Sequence, residues 1–319
     1  MRKAVRILAW LGGGILLLLL LAFYLLYAPT PPAPQLSAKP QAGTIRIGAR
    51  ERQYLVYAPA RRAASPALLV VFHGRMGSPA RIRAETGYGF DRLADRNGFV
   101  VAYPQGFEGR WNDCRKAGDD PARRRDIDDL GFFDALVERL RRQHGVDPSR
   151  VFVAGVSNGG QFVYRLALER PRAIAGAAVF VAGLPSRDNN GCTSRGPPPP
   201  ILIVNGTDDP INPYEGGMVS LFGFSHLGTV VSARDSALYF AGTGPGPAAA
   251  RLPARARGDR TWVERSVWHR AGRGEVVLLS VHGGGHVVPQ AVYRPPRLLG
   301  RVTSAIDGPA EAWKFFRRQ

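Results

Sequence analysis

Six apolar runs set the terms for this chain: ALLVVFHG (67–74), FVVAYPQG (99–106), RVFVAGVS (150–157), GAAVFVAG (176–183), ILIVNGTDD (201–209) and VVLLSVHGGGH (276–286). Their apolar cores do not alternate with polar residues, as a strand with one wet face does. Each therefore reads as a strand covered on both faces, the condition of a parallel sheet. Segments with helical spacing lie between or beyond them: FDRLADRNG (90–98), IDDLGFFDALVERLRRQHG (127–145), residues 159–169 and a closing helix over 309–317. TIRIGARERQYLVYAP (44–59) alternates like a hairpin. Strands interleaved with helices predict an α/β chain whose mostly parallel central sheet carries helices on both faces. In such a sheet ligands sit at the carboxyl ends of the strands, so chemistry is to be sought there.

Three of those ends carry reactive side chains, in the chain order Ser157, Asp209, His286. Ser157 stands in VAGVSNGGQF (153–162), where Gly155 and Gly159 allow a sharp strand-to-helix bend that projects the hydroxyl. A serine hydroxyl is a weak nucleophile; His286 is expected to take its proton, and Asp209 to hold the imidazole. Each residue alone is more often structural. The order nucleophile, acid, base at the ends of sheet strands is that of an α/β-hydrolase. Asp208 competes for the acid role, and Asp209 is preferred because it precedes Pro210 in the turn. His73 competes as base and is set aside, because an HG pair before a loop of this kind shapes an oxyanion hole. That hole is assigned to the backbone N–H groups of Asn158 and Arg75. Asp128 and Asp129 are read as N-terminal capping residues of a helix.

The N-terminus adds a second theme. Arg2, Lys3 and Arg6 precede Ile7 to Tyr27, a run without charge that would span about 31 Å as a helix and match a bilayer core. Residues 1–27 are expected to be an uncleaved signal anchor, with a cleaved signal peptide as the alternative, although prolines crowd any cleavage site in YAPTPPAP. The basic flank places the body across the membrane, in the periplasm or outside the cell. Residues 28–43 form a Pro-rich tether, and 44–319 a single catalytic domain. The formal charge of +18 raises nucleic acid as a partner, but only four of the 43 basic residues are Lys and the Arg residues are scattered. A solvated basic surface is expected, with no nucleic acid bound. No metal site and no cofactor are expected, the six His being dispersed.

The motifs go further together. HGRMGSPARIRAETGYGFDRLADRNGFVVAYPQG, RWND, DIDDLGFFDALVERL, VDPSRVFVAGVSNGGQFVYRLA, NGTDDPINPYEGG and GGGHVVP make residues 45–317 resemble the polyhydroxybutyrate depolymerase-like secreted esterases, neighbours of the feruloyl and acetylxylan esterases. The resemblance implies a serine esterase that forms an acyl-enzyme, with Ser157, Asp209 and His286 catalytic. It implies small or oligomeric ester substrates: hydroxybutyrate-type oligomers, or feruloyl or acetyl esters. Arg75 and Met76 depart from the Gly or Cys that often follows the HG pair. Trp111 and Asn112 resemble a family WN motif at the cleft and are candidates for substrate binding, a buried structural Trp being the alternative. Residues 212–224 are a candidate lid. A peptidase or amidase on the same triad, or an inactive envelope binding protein, are the rival readings. Cys114 and Cys192 both follow strands at the carboxyl edge of the sheet, and in an exported chain they are expected to pair, free thiols being the alternative.

Overall fold

The computed structural model describes residues 2–118, 120–242, 248–252, 260–270 and 274–319, without the side chains of 2–9 and 248–249. In chain order the elements are α1 (Arg2–Leu26), β1 (Gln41–Ile47), β2 (Arg50–Tyr57), β3 (Leu68–Phe72), α2 (Pro79–Glu85), α3 (Gly89–Asn97) and β4 (Val100–Pro104). There follow α4 (Pro121–Arg124), α5 (Asp129–His144), β5 (Val151–Val156), α6 (Asn158–Glu169), β6 (Gly176–Phe180) and β7 (Ile201–Gly206). The last third holds β8 (Gly217–Ser220), β9 (His226–Val230), α7 (Ala233–Ala241), β10 (Ala248–Leu252), β11 (Trp262–Arg270), β12 (Gly274–His282) and α8 (Gly308–Phe316).

Ten strands form one sheet in the order β1-β2-β4-β3-β5-β6-β7-β12-β11-β10. Its centre, β4 to β12, is parallel throughout and is built from the six apolar runs. The two ends are antiparallel: β1 and β2 on one side, β11 and β10 on the other. Both faces of the centre are dry, which is why the runs do not alternate. Along β3, Leu68, Val70 and Phe72 join a core with Phe162 and Val163 of α6, while Leu69 and Val71 join the opposite core with Phe90 of α3 and Trp313 of α8. Burying each such side chain is worth roughly 1.5–3 kcal/mol. The architecture is that of an α/β-hydrolase, a mostly parallel sheet with helices on both faces.

The structure departs from the sequence expectations at several elements. Residues 79–85 form α2, begun by Ser78, whose side chain accepts from the Arg81 N–H, and by Pro79 in the first turn. The section between β7 and β12, expected to be irregular, contains the small sheet β8–β9, helix α7 and the antiparallel strands β10 and β11. Asp128 does cap α5, accepting from the Gly131 N–H at 2.7 Å. Asp129 does something else: it is buried, 2.6 Å from Arg52, and accepts from the Asn112 N–H.

The tether is fastened before β1 begins. Ser37 donates through its hydroxyl and its N–H to Asp95 and accepts from the Ala60 N–H, while Leu36 and Ala38 pack on the core. Further back, α1 exposes Leu16 to Leu21 and meets the body where the Arg297 guanidinium lies 4.3 Å from the Tyr24 ring centre. Among the described residues no helix is long and apolar enough to cross a membrane, so the span expected over residues 7–27 is not supported.

Candidate active site

The turn from β5 into α6 holds Ser157 at φ 54° and ψ −118°, a conformation that a residue with a Cβ adopts only under constraint. Flanking side chains have no room. A Cβ on Gly155 would lie 2.2 Å from the Gly159 carbonyl oxygen, and one on Gly159 would lie 2.4 Å from that of Phe72. The tight crossing of β3, β5 and α6 thus requires both glycines and turns the serine out at the sheet edge.

His286 and Asp209 come from neighbouring strands. β12 pairs in parallel with β7, Val281 opposite Gly206, so the chain leaves both strands at the same level. His286 is steadied by its N–H, which donates to the Leu299 carbonyl at 2.7 Å. Its Nδ1 lies 2.8 Å from Asp209 Oδ2. The other carboxylate oxygen of Asp209 accepts from the Ile211 and Asn212 N–H groups, both at 2.8 Å. Asp208 points away: it is exposed and 3.8 Å from Arg301. Ser157 and His286 border the same two cavities.

His73 has no access to this chemistry. It is fully buried, with Nδ1 2.7 Å from the Gly74 carbonyl and Nε2 accepting from the Gly106 N–H at 2.9 Å. Burial lowers its pKa to about 4, so the ring is neutral. It fixes the loop at Gly74 and Arg75, which abuts the nucleophile: a Cβ on Gly74 would be 3.5 Å from that of Ser157. Among the described residues, neither the Arg75 nor the Asn158 backbone N–H donates to another group. The Arg75 side chain turns aside to Asp120 at 2.7 Å, which also pairs with Arg110.

Trp111 and Asn112 are not brought to the cleft. Trp111 is 1% exposed, donates from Nε1 to the His73 carbonyl and from its N–H to Asn158 Oδ1. Asn112 is buried and donates to Asp126 and the Ile127 carbonyl. Both stand behind the site, holding the loops that form it. Their neighbour Asp113 accepts from Asn158 Nδ2 at 2.7 Å and pairs with Arg115 at 2.5 Å. Next along is Cys114, bonded to Cys192 with the two Cα atoms 5.1 Å apart.

Two cavities open from Ser157. The larger, about 230 Å³, is walled by Met76, Leu221, Phe222, Val288 and Leu299, with Glu85 and Tyr293 among its polar lining. Glu85 pairs with Arg81 at 2.7 Å, and burial raises its pKa. The smaller, about 20 Å³, is lined by Asn158, Gln161, Asn212 and Arg115 beside apolar groups such as Val181 and Ile211. The candidate lid, 212–224, runs into β8 and its turn, and places Leu221 and Phe222 on these walls. Sequence reasoning missed Glu85, Gln161 and Asn212. Gln161 sits inside the nucleophile motif and Asn212 three residues after the acid, so proximity to the motifs was the available signal.

Comparison with known proteins gives a consistent picture. NocK of Nocardia uniformis subsp. tsuyamanensis, a protein assigned as an esterase, is 28% identical over 301 residues, 88% of this chain and 86% of that one. The bifunctional acetylxylan esterase/xylanase XynS20E of Neocallimastix patriciarum is 29% identical over 168 residues, 51% of this chain and 22% of that protein. Feruloyl esterase C of Emericella nidulans is 29% identical over 131 residues, 41% of this chain and 43% of that protein. This chain therefore matches under half the length of these last two. The structure of an acetyl xylan esterase from Aspergillus awamori superposes with a TM-score of 0.55 at 17% identity, covering 78% of this chain and 95% of that one, a likeness of fold. No family model matches the chain. The relatives agree in ester hydrolysis, and the chain is a carboxylic ester hydrolase.

Proposed function

We propose that this hydrolase is a serine esterase acting through an acyl-enzyme, with Ser157 as nucleophile, His286 as base and Asp209 as the acid that holds it. The observation that carries the reading is the His286–Asp209 hydrogen bond at 2.8 Å, beside a strained serine on the walls of the same cavities. The carboxylate favours the tautomer with hydrogen on Nδ1 and leaves Nε2 to accept the serine proton. Ser157 Oγ bonds to the ester carbonyl carbon, and the oxyanion is met by the free N–H groups of Arg75 and Asn158. The bond to the alkoxy oxygen then breaks, and His286 returns the proton to that oxygen. A water repeats the sequence: it gives a proton to His286, its oxygen bonds to the acyl carbon, the bond from that carbon to Ser157 Oγ breaks to release the acid, and His286 returns the proton to Ser157. His286 borders both cavities; the larger, more apolar one beside Val288 is assigned to the alcohol, and the smaller one beside Asn158, whose N–H serves the oxyanion, to the start of the acyl group.

The substrates are small or oligomeric esters, of hydroxybutyrate-type oligomers or of feruloyl or acetyl groups; the sequence resemblance and the names of the relatives support this range. Export is supported by the Cys114–Cys192 bond, since such bonds persist in oxidising compartments. A fluorophosphonate should label the chain at Ser157, and p-nitrophenyl esters should be cleaved far faster than the matching anilides. Ser157→Ala should abolish labelling and lower kcat by about 10³-fold or more. A Ser157→Ala protein that keeps a tenth of the wild-type rate sinks the assignment.

A further inference from the structure

The smaller cavity has an unusual polar lining. Gln161, 2% exposed, donates from Nε2 to the Gly183 carbonyl at 2.7 Å, and its Oε1 has no partner. Asn212, 3% exposed, accepts at Oδ1 from the Gly183 N–H at 3.0 Å, and its Nδ2 has no partner. One glycine peptide on each side thus grips both amides. The orientation of each is fixed, because a carbonyl can only accept and an N–H can only donate. What remains free is one acceptor and one donor, each on a residue that lines a cavity bordered by Ser157 and His286.

Leaving a buried polar atom unpaired costs on the order of 1–3 kcal/mol, and two such atoms on one small cavity call for a shared partner. That partner must donate one hydrogen bond and accept another. It must also be about the size of one water, since the cavity offers about 20 Å³. A hydroxyl meets both conditions.

We propose that this cavity is a subsite for a single hydroxyl on the carbon next to the ester carbonyl, so that the enzyme prefers 2-hydroxyacyl esters such as glycolates and lactates. The inference rests on the serine-esterase reading above, with the acyl group on the Asn158 side. In the free enzyme a water takes the site. In the complex the hydroxyl displaces it, donating to Gln161 Oε1 and accepting from Asn212 Nδ2. The limit applies to the group on that carbon that enters this cavity, where nothing larger than a hydroxyl fits; the rest of the acyl chain lies outside it. Arg115, which lines the same cavity, is committed to Asp113 and adds no free charge for a carboxylate.

The test compares ethyl glycolate, ethyl methoxyacetate and ethyl acetate with the full-length protein in a pH-stat. Methoxyacetate matches the electron withdrawal of glycolate but is larger and cannot donate. The wild type should favour glycolate over methoxyacetate by about tenfold or more in kcat/KM, the discrimination a paired hydroxyl commands. Gln161→Met and Asn212→Leu should each pull that ratio toward one; the ratio, not the absolute rate, is the readout. Glycolate and methoxyacetate cleaved equally by the wild type overturns the subsite and leaves the esterase reading intact. Failure to cleave any of the three, with Ser157 unlabelled by a fluorophosphonate, overturns both. If neither variant folds, the wild-type ratio decides alone.

Discussion

Asp208 and Asp209 are adjacent in sequence and opposite in consequence. Asp209 accepts from two backbone N–H groups and lies against His286, while Asp208 is exposed beside Arg301. Asp209→Asn should put the wrong tautomer on His286 and lower kcat by about 10³- to 10⁴-fold, and Asp208→Asn should stay within about twofold. Steady-state rates on one p-nitrophenyl ester decide it, and the reverse ranking would move the acid role to Asp208. His73 offers a stability counterpart. Its pKa is about 4 in the fold against an ordinary 6.5. Between those values the unfolded chain binds a proton that the folded chain refuses. The stability is therefore full above pH 6.5 and drains as pH falls toward 4, by on the order of 3 kcal/mol. Urea unfolding of His73→Gln should show a flatter loss of stability across that window than the wild type; parallel curves would refute it. At this scale the sequence was informative where chain order and a motif coincide, as at Ser157. It was silent at Gln161 and Asn212, because their meaning lies in which ends Gly183 leaves free, a fact that exists only after folding.

The six parallel strands were legible because burial on both faces leaves a sequence mark that solvent-facing elements do not carry. The section between β7 and β12 was not: β8 and β9 have four and five residues, too short for a period to register. β11 reads WVERSVWHR, polar enough to pass for loop, and finds its place only by pairing along all of β12. The WN segment misled for a related reason, since a Trp near a cleft looks like a binding residue until its Nε1 is seen to hold the His73 carbonyl. The disulfide acts on the same segment. It closes a loop between residues separated by 78 positions, for which chain entropy gives about 4 kcal/mol of stabilisation. Replacing Cys114 and Cys192 by Ser should lower stability by a few kcal/mol. Because Asp113 joins Asn158 to this loop, kcat/KM should fall in mild reductant before near-ultraviolet dichroism is lost. Activity and tertiary signal lost together would make the bond purely structural.

For the whole molecule, the boundary of the body lies earlier than the start of its sheet. Ser37 is bonded to Asp95 and Ala60, and Leu36 and Ala38 pack on the core. A chain beginning at residue 34 should therefore keep full activity and thermal stability. One beginning at residue 40 should lose about 1–2 kcal/mol with the Ser37 bonds. Equal melting temperatures for the two would show that the tether contributes nothing.

The parallel pairing of β12 with β7 carries one more consequence, for engineering. Acid and base leave adjacent strands in fixed register, Val281 opposite Gly206, while the chain between them departs on an excursion of its own. Leu221 and Phe222, which wall the cavities, belong to that excursion. Its first part, β8 and β9, can be treated as an exchangeable cassette, whereas α7 packs Ala233, Ala237 and Phe240 into the main core. Segments from related hydrolases, spliced in place of β8 and β9, would alter what enters the cleft while the strand ladder keeps Asp209 and His286 in place.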